Sequence, residues 1–147
     1  MNTEYDVDQE VDMALTELSD VVVRSNTNDV LIHCINYGTV AGKTRNSGGV
    51  AGSEELGLIH ACENYGTVQL ESGNGLGGIA GYSASRVNQS YALCNLKGDN
   101  KIGGITGDGY DIRKCLAMVT IYGYHTDKTG SLAGCSNETS TLANTYV

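Results

Sequence analysis

The chain has 147 residues, with 17 acidic and 9 basic side chains, 20 glycines, and no proline, tryptophan or phenylalanine. That length fits one domain, and a net charge of -8 with nine Lys and Arg residues leaves too little positive charge for the basic footprint of a nucleic-acid binder. At 40% hydrophobic and 18% charged residues the composition is globular rather than disordered, and with nine tyrosines as its aromatics the core falls to Val, Ile, Leu, Ala and Cys, which suit stacked strands.

The first residues, Met1-Asn2-Thr3-Glu4-Tyr5-Asp6, carry neither the basic nor the apolar stretch of a secretory signal. Val7, Val11, Leu15 and Leu18 follow at helical spacing, with Asp6 as N-cap and acidic residues crowding the first turn, so 1–19 is expected as an acidic amphipathic helix. Seven of the 17 acids lie in residues 1–20 with no Lys or Arg, leaving 10 acids against 9 bases in the rest. No apolar run approaches the roughly 18 residues of a transmembrane helix, so membrane insertion is not expected.

Beyond the helix the chain repeats. Cys34-Ile35-Asn36-Tyr37-Gly38-Thr39-Val40 recurs 28 residues later as Cys62-Glu63-Asn64-Tyr65-Gly66-Thr67-Val68, identical at every position but the second. Gly48-Gly49-Val50-Ala51-Gly52 recurs as Gly77-Gly78-Ile79-Ala80-Gly81, as Gly103-Gly104-Ile105-Thr106-Gly107, and in weaker form as Gly130-Ser131-Leu132-Ala133-Gly134. Steps of 29, 26 and 27 residues are a solenoid period.

Columns appear on this frame. An apolar one reads Leu31, Ile59, Val87, Ile112, Leu142; three residues on, a small one reads Cys34, Cys62, Ser90, Cys115, Thr145; further on come Val40, Val68, Leu96 and Ile121. The gap from each glycine block to the next apolar column varies as 9, 8, 7 and 10 residues, which reads as a turn of variable length. Extended backwards, the frame opens its first coil at Asp20-Val21-Val22-Val23-Arg24. The expectation is an all-β parallel β-solenoid of about five coils of about 27 residues over 20–147, with the helix of 1–19 as its cap. Stacked coils would place Asn36 over Asn64 as an amide ladder.

The alternation of a GGIAG-like block with a CxNYGTV-like block resembles the GLUG repeat, found in tandem in large bacterial surface proteins, including adhesin-like chains and some immunoglobulin-cleaving metalloproteases. The resemblance spans roughly Asp20 to the C-terminus, with degraded copies at Asn95, Ser131 and Tyr122. It implies a β-solenoid module whose repeat carries no catalytic residues.

Five cysteines without a CxxC point to reduced, structural thiols. Cys34, Cys62, Ser90 and Cys115 are assigned to an inward column, and Gly48, Gly49, Gly77, Gly78, Gly103 and Gly104 to sharp turns or close strand approaches. Neighbouring coils bring Cys34 and Cys62 into disulfide range, but in-register stacking disfavours the bond. Cys94 and Cys135 fall outside the column and are candidates for exposed thiols.

His33 aligns with Ala61 and His60 with Ile32, so no metal pair is expected; no catalytic triad motif is present. Glu54, Glu55, Asp108 and Asp111 fall in the segments read as turns, where only two of four are acidic, so a glycosidase pair is not expected. Asp108-Gly109-Tyr110-Asp111 lacks a full calcium-ligand set, and Gly73-Asn74-Gly75-Leu76-Gly77-Gly78 lacks the Lys-Ser/Thr of a phosphate loop.

Together with Tyr82, Tyr110, Tyr122 and Tyr124, the residues Glu54, Glu55, Asp108 and Asp111 form the expected partner surface. The functional expectation is a non-enzymatic, cofactor-free interaction module that meets a protein or glycan partner through its turns and one face, adhesin-like by resemblance. End-to-end or edge-mediated self-association also fits a solenoid. The alternative is a small acidic intracellular inhibitor, phage- or mobile-element-encoded, blocking a basic nucleic-acid-handling enzyme by charge mimicry. The first reading places the chain on a cell surface as part of a longer protein, the second in the cytoplasm.

Overall fold

A repeat of small and β-branched residues with no proline gives a strand ladder nothing to interrupt it, and the chain builds one. The computed structural model describes residues 29–124, 128–135, 141–143 and 146–147 as an all-β parallel solenoid of about four turns. The expected helix of 1–19 and the opening strand at Asp20–Arg24 lie outside the described residues.

Each coil contributes to four parallel sheets. Sheet A joins Asp29–Ile32, Gly57–His60, Ala80–Asn88, Thr106–Arg113 and Ala133–Cys135, with Ala51–Glu54 and Thr141–Ala143 pairing at its sides. Sheet B stacks the two-residue strands Ile35–Asn36, Glu63–Asn64, Tyr91–Ala92 and Leu116–Ala117. Sheet C stacks Thr39–Gly42, Thr67–Leu70, Asn95–Gly98 and Thr120–Gly123, and sheet D stacks Arg45–Gly48, Asn74–Gly77, Asn100–Gly103 and Thr129–Gly130.

The columns read from the sequence are the register. Leu31 pairs with Ile59, Ile59 with Val87, Val87 with Ile112, and Ile112 with Leu142. Val40, Val68, Leu96 and Ile121 stack likewise, as do Gly48, Gly77, Gly103 and Gly130. Ile59, Val68, Leu76, Ile79, Val87, Leu96, Ile102, Ile105 and Ile112 are all fully buried. Each contributes about 1.5–3 kcal/mol, against about 0–1 kcal/mol for an exposed ion pair, so the inner columns hold the rod together.

Two corners use the left-handed backbone in successive coils. His33, Ala61, Gln89 and Lys114 have φ of 53°, 52°, 50° and 52° where sheet A passes into sheet B, and Asn46 and Lys101, at 48° and 51°, bracket Gly75 at 91° in sheet D. At the glycine block two consecutive N–H groups converge on one carbonyl of the next coil. Val50 and Ala51 donate to Ile79 O at 2.9 and 3.1 Å, Ile79 and Ala80 to Ile105 O, and Ile105 and Thr106 to Leu132 O. The bend is tight enough that a Cβ on Gly48 would meet Ala80 Cα at 2.5 Å.

The segments after the first three glycine blocks correct the reading as a turn. After the second and third blocks the chain is continuous strand, after the first it is strand broken at Glu55–Leu56, and the differences in length are absorbed inside sheet A. Ser83 pairs with Gly109 and Arg86 with Asp111, so Ala80–Asn88 holds one extra residue as a bulge. Ser83 also pairs with Glu54 while Arg86 pairs with Leu58, which puts a further residue into the Glu55–Leu56 break. Bulges of this kind preserve inward side chains and are silent in composition.

Two further expectations are overturned. Glu54 is buried, 8% exposed, because Ser83 stacks over it in the next coil and its hydroxyl donates to Glu54 Oε2 at 3.4 Å. Cys94 is buried as well, at the coil position of Gly66, where Asn95 pairs with Thr67. All five cysteines are free thiols. In the inward column Ser90 takes the place of a thiol, accepting from Cys62 N at 3.2 Å and donating to Asn88 O at 3.1 Å.

Candidate functional site

Outward side chains follow from strand alternation around the inner columns. On sheet A the outward acids are already satisfied. Asp108 accepts from Lys101 Nζ at 2.7 Å, and Asp111 lies 2.8 Å from Arg86 Nε and 2.6 Å from Arg113 Nε. Burial pushes the Asp111 carboxyl up, but the hydrogen bonds from Arg113 and Arg86 outweigh it and hold the group below the ordinary carboxylate range. The Asp108 hydrogen bond likewise raises Lys101. Tyr82 and Tyr110 are half-buried and meet edge-to-face at 6.2 Å, with burial raising the Tyr82 phenol. Glu55 is exposed beside this network but across the break from it.

A second face is aromatic. Tyr37 and Tyr65, one coil apart, stack at 5.3 Å with rings 14° apart, and the Tyr65 hydroxyl donates to Glu63. That hydrogen bond raises the Tyr65 phenol.

The third face is the outer side of sheet C. One outward column runs Thr39, Thr67, Asn95, Thr120 and the other Ala41, Gln69, Lys97, Tyr122, each step an in-register strand pair. Lys97 Nζ sits 5.8 Å from the centre of the Tyr122 ring, a cation–π contact between neighbouring coils that orients both side chains. Tyr124 follows at the end of the strand, its N–H donating to Gly98 O at 2.9 Å. Tyr122 is 54% and Tyr124 66% exposed. Thr67, Asn95, Lys97, Tyr122 and Tyr124 line an open groove of about 530 Å³.

The eight residues expected as a partner surface are therefore not one surface. Tyr122 and Tyr124 come together on sheet C; Tyr82, Tyr110, Asp108 and Asp111 form the satisfied network of sheet A; Glu54 is inside the rod. The groove's Thr67, Asn95 and Lys97 were missed by sequence reasoning, although their signal was present: each flanks a member of the inward Val68 and Leu96 column and so must point out. Among the described residues no group of three or more His, Cys, Asp or Glu side chains is placed to hold a metal ion, and no helix is long and apolar enough to cross a membrane.

The fold defines the chain as a parallel β-solenoid. No protein-family model, curated protein or solved structure matches it.

Proposed function

We propose that the chain is a non-enzymatic binding module, a rigid rod that contacts a macromolecular partner through the outer face of sheet C. The single observation that carries this reading is the exposure of Tyr122 and Tyr124 beside Lys97 in an open groove on the outer side of sheet C. Tyrosine supplies large contact area at small entropic cost, and a stacked β-rod pre-organises it. The likeness of the GGIAG and CxNYGTV blocks to the GLUG repeat supports an adhesin-like role. Inhibition by charge mimicry draws less support, since the rod's Asp108 and Asp111 are paired with its own cations and residues 21–147 hold 10 acids against 9 bases.

The test is surface-plasmon binding of the purified chain to a panel of immobilised polysaccharides and extracellular-matrix proteins, with release of cleaved fragments assayed on the same panel. Saturable retention without cleavage, lost in a Tyr122→Ser/Tyr124→Ser variant, is expected. Fragment release, or retention that ignores the double substitution, would overturn the reading.

A further inference from the structure

Resting on the binding reading above, we propose that the sheet C groove takes an acidic polysaccharide, an extended chain of pyranose units bearing uronate carboxylates. Four features of the groove converge on that chemistry.

Its hydrogen-bonding groups are neutral and repetitive. The Thr67 hydroxyl and the Asn95 amide occupy one column on successive strands. Strands in a parallel stack lie about 4.8 Å apart, close to the rise of one sugar in an extended chain, so successive sugars would meet equivalent donors and acceptors along the rod.

Its aromatic groups suit sugars. Pyranose rings present faces of C–H bonds, and these stack on tyrosine rings while the edge hydroxyls bond to polar side chains. Tyr122 and Tyr124 stand exposed on the same coil as Thr120 and offer such platforms. The face carries no exposed aliphatic anchor of the kind that fills a pocket in a protein interface.

Its charge is local. The eight outward positions within the sheet C strands hold a single cation, Lys97, and no carboxylate, while Glu71 and Asp99 follow Leu70 and Gly98 at the Tyr124 end of the groove. Lys97 Nζ sits 5.8 Å from the centre of the Tyr122 ring and takes up one of its faces, leaving the other face and Tyr124 for a sugar whose carboxylate pairs with that positioned ammonium. The net charge of -8 is unevenly spread along the sequence, residues 21–147 holding 10 acids against 9 bases.

Its shape is open. The groove's lining comes from three successive coils at sheet C, so it crosses neighbouring coils of the stack.

The experiment is affinity electrophoresis and calorimetry of the full chain against polygalacturonate, with dextran as the neutral polymer and a matrix protein as the protein probe. Four variants accompany the wild type: Lys97→Gln, Tyr122→Ala, Tyr124→Ala and, on another face, Tyr37→Ala. All are surface substitutions, and circular dichroism confirms that each retains the fold. Polygalacturonate is expected to bind about tenfold more tightly than dextran, the worth of one charge-assisted hydrogen bond, with Lys97→Gln abolishing that preference. Each groove tyrosine substitution is expected to weaken binding about three- to tenfold, and Tyr37→Ala to leave it unchanged.

Equal affinity for the two polymers, or binding to polygalacturonate that Lys97→Gln and Tyr122→Ala leave intact, overturns the proposal. Retention of the matrix protein through Tyr122 and Tyr124 without polygalacturonate binding overturns the ligand class while the binding reading stands. Retention of nothing on the wider panel removes both.

Discussion

The Asn64 side chain donates from Nδ2 to Gly78 O at 2.7 Å, a bond that crosses the interior from sheet B to the bend between sheets D and A. Its Oδ1 accepts from Asn36 Nδ2 at 2.9 Å and from Gly66 N at 3.0 Å. The expected amide ladder therefore exists between these two coils, and it ends there because Ala92 and Ala117 continue the column. The fully buried Asn64 amide ties sheet B to the bend between sheets D and A and one coil to the next. Replacement by alanine removes three hydrogen bonds and takes the Asn64 partner from the buried Gly66 N–H, while Gly78 O keeps the bond from Gly49 N at 3.2 Å. The expected loss is about 3 kcal/mol, read as a lower urea midpoint at unchanged slope. A midpoint within error of wild type would show that the bonds are dispensable.

The glycine blocks are sites of close approach. A Cβ on Gly78 would lie 2.6 Å from Ala92 Cβ and collide with Gly104 O. Gly78→Ala should destabilise by about 3 kcal/mol, since backbone rather than a flexible side chain must move. Gly38→Ala is the comparison: among the described residues its Cβ meets only Asn36 Oδ1, at 3.6 Å, and a change within about 0.5 kcal/mol is expected. Thermal unfolding of the two variants separates steric need from generic glycine effects.

Ala61 behaves in the opposite sense. Its φ of 52° places an ordinary L-residue in the left-handed region at the corner between sheets A and B. Relief of that strain is worth about 1–2 kcal/mol, offset by about 0.5–1 kcal/mol of extra chain entropy for glycine. Ala61→Gly is therefore expected to match or exceed wild-type stability by up to about 1.5 kcal/mol. Ala92→Gly, on a buried strand against Gly78, is expected to lose stability. Chemical denaturation of the pair decides the point; a destabilised Ala61→Gly would mean that the corner does not hold this conformation.

Buried thiols make the fold sensitive to alkali. Burial pushes Cys94 up to about 12 and Cys115 to about 11 from an ordinary 9.0, and raises Cys62 as well. The folded chain keeps these protons while the unfolded chain gives them up above pH 9, so the unfolded state binds fewer protons there and stability falls as pH rises. The thiol contribution is intact below about pH 9 and is lost between about pH 9 and 12, at up to about 1.4 kcal/mol per pH unit for each thiol. Urea midpoints should decline from pH 8.5 to 10.5, and a Cys94→Ala/Cys115→Ala variant should flatten the decline. A wild-type midpoint independent of pH would refute the assignment.

Much of the rod was legible in the chain. Leu31, Ile59, Val87 and Ile112 recur because an inward column tolerates only apolar side chains in register, and the Cys62–Ser90–Cys115 column recurs because only small residues fit its corner. What stayed hidden was hidden for physical reasons. The bulge between Ser83 and Arg86 adds a residue without disturbing an inward position, so it read as loop length. The burial of Glu54 depends on Ser83 in the next coil, and that of Cys94 on the interior beside Asn64; no local pattern reports either. Lys97 carried no repeat signal and Asn95 read only as a degraded repeat copy, until the stack set them beside Tyr122 and Thr67.

The central claim is that one outward sheet, with Thr67, Asn95, Lys97, Tyr122 and Tyr124, is the working surface of the rod. Titrating the isotope-labelled chain with polygalacturonate and following backbone amide shifts tests it most directly. The account predicts saturable shifts concentrated on Thr67–Leu70, Asn95–Gly98 and Thr120–Gly123, with sheet A and the Tyr37–Tyr65 stack unmoved. Shifts centred on sheet A or on the Tyr37–Tyr65 face, or no shifts at saturating polymer, would contradict it.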